Sequence, residues 1–156
     1  MSRVIADLRE LTHQIEQISD EIARKYNLEH LAGPQGHVLV FLSKHQDQEI
    51  FVKDIEKELQ ISKSVTSNLV KRMVKNGFIQ VLPSQADKRY KQIVLAQAGK
   101  DKLPLLQECR KDIEHYFFKE ITREELLTVK KVIQQLKQNM LTYKGENLSL
   151  IHISEP

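Results

Sequence analysis

The sequence predicts a mainly α-helical chain interrupted once by a small β-hairpin. Three observations carry that prediction. Apolar residues recur at steps of three and four over most of the 156 residues, the spacing of one helix face. The period changes between Phe78 and Leu95, where two short apolar runs flank a polar, basic loop. Positive charge gathers around the same place. Residues 63–91 hold Lys63, Lys71, Arg72, Lys75, Lys88, Arg89 and Lys91 against Asp87 alone, net +6, whereas residues 1–62 are net −4.

The length suits one domain with its own core. The composition, 40% apolar and 29% charged, is that of an ordinary globular chain. No apolar run approaches the ~18 residues of a membrane span, and the charged opening MSRVIADLRELTHQ has no secretory apolar core. Cys109 is the single cysteine, so no internal disulfide forms. Together these features predict a cytoplasmic protein.

Taken in order, Val4, Leu8, Leu11, Ile15, Ile18 and Ile22 form one narrow apolar stripe, closer to a coiled-coil seam than to a broad core face. Asn27 is the expected stop. A second helix is expected to start at Gly33-Pro34, because proline fits a first helical turn, with Val38, Leu39, Phe41 and Leu42 inward. Phe51–Leu59 reads as a short amphipathic helix, broken by Gln60-Ile61-Ser62. Ser62 is a good N-cap for the next helix, which Asn76-Gly77 closes. Val65, Leu69 and Met73 are its expected buried face. Phe78–Leu82 and Gln92–Leu95 are the strand candidates. A helix over residues 99–120 follows, with Pro104 marking its start or a kink. Thr122 caps the last helix with Glu124 and Glu125 behind it. Val129, Ile133, Leu136 and Met140 make a second narrow seam, and Lys144-Gly145 is its expected end. The final stretch, 146–156, continues no pattern and is expected to be disordered or non-native.

Helix, three-residue break, helix, glycine, strand, basic loop, strand is the order of a winged helix-turn-helix over residues 33–97. Residues 1–32 and 98–145 would form a helical dimerisation region. The second helix of such a pair enters the major groove of double-stranded DNA, so its outer face needs short polar donors and a few cations. Ser62, Lys63, Ser64, Thr66, Ser67 and Lys71 are the candidates. Arg72 and Lys71 would reach phosphates, and Lys88, Arg89 and Lys91 would act from the hairpin tip. A focused basic patch suits a polyanion, though a basic solvated surface has the same composition.

The segment ISKSVTSNLVKRMVKNGFIQ followed by ADKRYKQIVLAQAGK resembles the multiple antibiotic resistance regulator (MarR) family. The match covers residues 3 to about 144 and includes the Asp87-Lys88-Arg89 wing and the Ala96-Gln97-Ala98-Gly99 helix start. The resemblance implies a dimeric transcription regulator that acts as a repressor. It implies that Arg89 is the minor-groove contact, that Asp87 braces it by an ion pair, and that residues 62–71 read a pseudo-palindromic operator. It also implies that the terminal helices intertwine through Leu8, Leu11, Ile15, Ile18, Val129, Ile133, Leu136 and Met140. Val81 stands where the family often has an arginine. A small-molecule effector is a further implication, with residues near Leu31, His37, Phe41 and Tyr116 as lining, and plain core as the favoured alternative for them.

Other chemistry is sparse. Cys109 sits between Leu106 and Ile113, which favours a buried structural thiol over an oxidant sensor. His13, His30, His37, His45 and His115 show no metal-ligand spacing, and His152 lies in the tail. No Ser-His-Asp set or phosphate-binding glycine loop is present. No cofactor, no metal and no enzymatic activity are therefore expected. The alternative function is a winged-helix assembly module whose basic patch binds an acidic protein.

Overall fold

The computed structural model describes the backbone of residues 3–154 and the side-chain surroundings of residues 3–146. In chain order the elements are α1 (Arg3–Lys25), α2 (Pro34–Lys44), α3 (Val52–Leu59), α4 (Lys63–Lys75), β1 (Ile79–Pro83), β2 (Lys91–Leu95), α5 (Gln97–Phe117) and α6 (Arg123–Ser154). The predicted class, mainly α with one hairpin, is the one observed. The chain divides into two compact units, Met1–Tyr116 and Phe117–Pro156.

In the first unit, α1 closes on Arg24 and Lys25, cations that suit a helix C-terminus. Asn27 then turns left-handed at φ 58, and Leu28 N–H returns to the Ala23 carbonyl at 2.8 Å. On α1 only Ser19, Ile22 and Ala23 are buried. The stripe above them joins no core: Leu8, Leu11, Ile15 and Ile18 are 38–51% exposed.

Pro34 opens α2 as expected. Its next turn passes so close to the chain before it that a Cβ on Gly36 would lie 2.1 Å from the Leu31 carbonyl oxygen. Val38, Leu39 and Leu42 of α2 meet Leu28, Leu31, Ile55, Leu69, Met73, Ile79, Ile93, Leu106 and Cys109 in one core. β1 and β2 pair antiparallel, Ile79 opposite Leu95 and Pro83 opposite Lys91. Ile93 N–H also bonds the Ile50 carbonyl at 2.7 Å, which ties the hairpin to the chain just before α3.

Pro104 neither starts nor ends α5; it lies inside a helix that runs from Gln97 and stops at Phe117, three residues before the expected limit. Pro104 is the eighth residue of α5, past the four N–H groups that have no intrahelical partner, so it removes the bond that would otherwise reach the Lys100 carbonyl.

The second unit is α6 and its approach. Thr122 Oγ1 accepts the Glu125 N–H at 3.1 Å, and the Glu125 carboxylate accepts the Thr122 N–H at 2.9 Å. Thr122 caps the helix as expected from the sequence, and the return bond from Glu125 makes the cap reciprocal. Gly145, however, does not end the helix, whose backbone continues to Ser154. A single helical glycine costs only about 1 kcal/mol relative to alanine, too little to stop a long helix by itself. The backbone of residues 146–154, a stretch expected to be disordered or non-native, is helical; the side chains of 147–154, and residues 155–156, lie outside the described residues. Val129, Ile133, Leu136 and Met140 are 37–59% exposed.

Candidate nucleic-acid interface

The site is built on α3 and α4. Phe51 precedes α3, and its N–H is accepted by the Asp54 carboxylate at 2.8 Å. Gln60 ends α3 in the left-handed region at φ 55, which makes the sharp turn between the two helices. Ser62 then caps α4, its Oγ accepting the Val65 N–H at 3.2 Å. At the far end Gly77 takes φ +80, and Phe78 N–H reaches the Met73 carbonyl at 3.0 Å. Each of these signals is local; the break after α3, the Ser62 cap and the Gly77 stop were expected from the sequence, whereas the Asp54 contact to Phe51 was not.

The rotation of α4 was not. Its buried residues are Thr66, Leu69, Val70 and Met73, so Thr66 does not belong to the outer face. Thr66 is fully buried, whereas Val65, expected inside, is 49% exposed. Thr66 can be buried because its hydroxyl donates to the Ser62 carbonyl at 2.8 Å, which leaves its methyl for the core. Ser62, Lys63, Ser64, Lys71 and Arg72 are exposed as expected, and Ser67 is half-buried. Asn68 is exposed among them. No sequence argument had singled it out, although its place opposite the stripe follows once the stripe is known.

The wing stands on a polar root. Glu49 accepts from the Ser84 hydroxyl and from the Gln85 N–H at 2.8 Å. These hydrogen bonds, the serine first, hold the Glu49 carboxyl below its ordinary range. At the tip, Arg89 Nη2 donates to Asp87 Oδ2 at 2.7 Å, and Arg89 Nε donates to Asp87 Oδ1 at 3.0 Å. Arg89 holds the Asp87 carboxyl low by its side-chain and then its backbone hydrogen bond. The arginine side chain is nevertheless 84% exposed, so Asp87 fixes its direction without covering it. Lys88 and Lys91 are exposed beside it.

Between the wing and the two helices lies an open cleft of about 730 Å³, in which Lys53, Lys63, Arg89 and Lys91 stand beside Phe51 and Tyr90. Lys53 was missed in the sequence because it falls in the acidic first part of the chain. Glu56 also reaches this cleft, and its Oε1 is buried with no hydrogen-bond partner among the described residues. Val81, 40% exposed on β1, supplies no cation.

The other candidates separate. Leu31 is core, Phe41 packs against it, His37 meets Glu58 at 3.3 Å, and Tyr116 is 66% exposed. Cys109 is 1% exposed, and desolvation, with Asp112 nearby, pushes its thiol pKa up. Among the described residues no group of His, Cys, Asp and Glu could hold a metal ion, and no helix is long and apolar enough to cross a membrane.

A family model described as the MarR family matches residues 31–89. The heme sensor protein PefR from Streptococcus agalactiae, solved in complex with heme, is 46% identical, with TM-score 0.70, over 90% of this chain and 95% of that one. The S. aureus MepR–DNA complex is 22% identical, with TM-score 0.76, over 87% of this chain and 97% of that one, and shares the fold. The HTH-type transcriptional regulator YwhA of Bacillus subtilis is 28% identical over 109 residues, 70% of this chain and 77% of its own length.

Proposed function

The chain belongs to the MarR family of transcription regulators, and on that premise we propose that it represses transcription as a homodimer that binds a pseudo-palindromic site in double-stranded DNA. The observation that carries the proposal is the cleft beside α4, where cations from α3, α4 and the wing converge. Phosphates are the natural counter-charges for such a surface. Ser62, Lys63, Ser64, Ser67 and Lys71 would face the major groove, with Arg72 on phosphates. Arg89, aimed by Asp87, would reach the minor groove from the wing. MepR is a relative in fold that was solved on DNA.

The dimer rests on the two seams. The apolar residues of α1 at Leu8, Leu11, Ile15 and Ile18, and of α6 at Val129, Ile133, Leu136 and Met140, are all exposed in one protomer. Narrow apolar stripes of this length are covered by a second helix in a stable protein. Two recognition helices about 34 Å apart would then read two half-sites.

Fluorescence anisotropy on duplexes from upstream of its own gene tests the reading. Binding should be sequence-selective and fall steeply with salt. Lys71→Ala and Arg89→Ala should weaken it while sedimentation still shows a dimer. Equal, weak affinity for all duplexes, together with tight binding of an acidic protein, would favour the assembly-module alternative.

Heme is the effector to test first, because the 46% identical relative is a heme sensor. A heme iron needs one or two axial ligands, commonly histidine. His13, His30, His45 and His115 are exposed, and His30 also lines an open cleft with Ile15, Ala32 and Pro34, so these are the histidines to test as ligands. Titration with hemin should give a Soret band that one of the four His→Ala variants removes, and the loaded protein should release its DNA.

A further inference from the structure

With about 100° of rotation per residue, the buried stripe Thr66, Leu69, Val70 and Met73 puts Ser64, Asn68 and Lys71 on the opposite side of α4. Asn68 lies at the middle of that face. It is exposed, and its amide bonds no other group among the described residues. Asparagine is a poor choice for a helix interior, and here it adds nothing to the core or to a cap. What it does present is a donor NH2 group and an acceptor oxygen side by side in one plane. The neighbouring lysines are flexible point charges without that geometry.

Val65 lies one turn earlier, on the flank of the same face, 49% exposed. The fold leaves this apolar side chain uncovered between Ser64 and Asn68, on a helix whose other exposed positions are mostly polar. The major groove offers one apolar feature, the thymine 5-methyl group, and adenine offers an N6 donor beside an N7 acceptor.

We infer that Asn68 and Val65 make each half-site selective for A·T pairs, Asn68 by paired hydrogen bonds to adenine N6 and N7 and Val65 by covering a thymine methyl. The inference rests on the DNA-binding reading above and adds which base pairs the helix takes. Ser64 is short enough to let the backbone approach the base edges, and Lys71 reaches the flanking phosphate. The sequence-based assignment of Thr66 to this role passes to Asn68.

The test begins with duplexes selected by the full chain from a random pool. In the selected half-site, single adenines are replaced by 7-deazaadenine, which lacks the N7 acceptor, and single thymines by deoxyuridine, which lacks the methyl. Binding is then measured for the wild-type chain, Asn68→Ala and Val65→Ala. Both positions are exposed, so matching unfolding curves should confirm that the variants fold. One 7-deazaadenine should weaken wild-type binding at least about fivefold, the low end for a paired amide–adenine contact, and leave Asn68→Ala unaffected. One deoxyuridine should weaken it about fourfold, the effect of uncovering one methyl, and leave Val65→Ala unaffected. If Asn68→Ala keeps the wild-type sensitivity to every 7-deazaadenine, or if all enriched positions are G·C, the assignment falls and the DNA-binding reading stands. If Val65→Ala keeps the deoxyuridine penalty, the thymine contact falls. A pool that yields no enriched sequence overturns both readings.

Discussion

Replacing Thr66 with valine separates two orientations of α4 that predict opposite results. Thr66 is fully buried, and its hydroxyl donates to the Ser62 carbonyl at 2.8 Å. The same carbonyl accepts the Thr66 N–H at 3.0 Å, so the substitution leaves no acceptor orphaned. The loss is one neutral hydrogen bond, about 0.5–1.5 kcal/mol. The gain is a methyl in place of the hydroxyl in an apolar site, about 0.8 kcal/mol. The net change in stability should lie within about 1 kcal/mol, a shift of roughly 2–4 °C in Tm for a chain of this size. DNA affinity should be unchanged, because the side chain is out of reach of a duplex. Urea unfolding and anisotropy on the same preparation measure both quantities. A variant that unfolds like the wild type but binds DNA tenfold more weakly would refute the rotation of α4 described above, and with it the assignment of Asn68.

Gly99→Ala should destabilise the chain by about 1–3 kcal/mol, because the new Cβ would lie 2.3 Å from the Phe78 carbonyl oxygen; Gly33→Ala, with nothing within 4 Å, should leave the unfolding midpoint nearly unmoved. Glu49 has a folded pKa below its ordinary 4.5, so its contribution to the wing root is present at neutral pH and is lost as pH falls through that lowered value. Glu49→Gln should remove that part of the acid sensitivity, read as hydrogen exchange of the Gln85 N–H between pH 3 and 6. Glu56→Gln takes a negative charge out of the cationic cleft, and DNA should bind roughly twofold more tightly at low salt, with the gain fading as salt rises. Cys109, buried with its thiol pushed up, should react with iodoacetamide only as fast as the protein unfolds.

The signals that the sequence carried openly were those that act over three or four residues. Ser62 caps α4 because its oxygen reaches an N–H three positions on. Gly77 ends that helix because it alone there adopts φ +80 without strain. Thr122 and Glu125 close on each other across one turn, and Asp87 grips Arg89 from two residues away. None of these needs a distant partner, so the order of elements could be read in advance from the residues, and the wing brace from the family resemblance.

The distant pairings were hidden. Thr66 and Val65 have nearly the same shape, and which one turns inward depends on what α3 and the core present to α4. Glu49 and Lys53 lie in a part of the chain that is acidic overall, and only the folded hairpin brings one to the wing root and the other to the cleft. By itself the sequence determined the helix-turn-helix order, the wing with its basic tip, and two apolar seams with the spacing of helix partners. The tertiary structure decided which face of α4 is free, and it left those seams uncovered in a single protomer. Periodicity records which residues share a side of a helix, whereas the direction that side takes is fixed by packing against residues far along the chain.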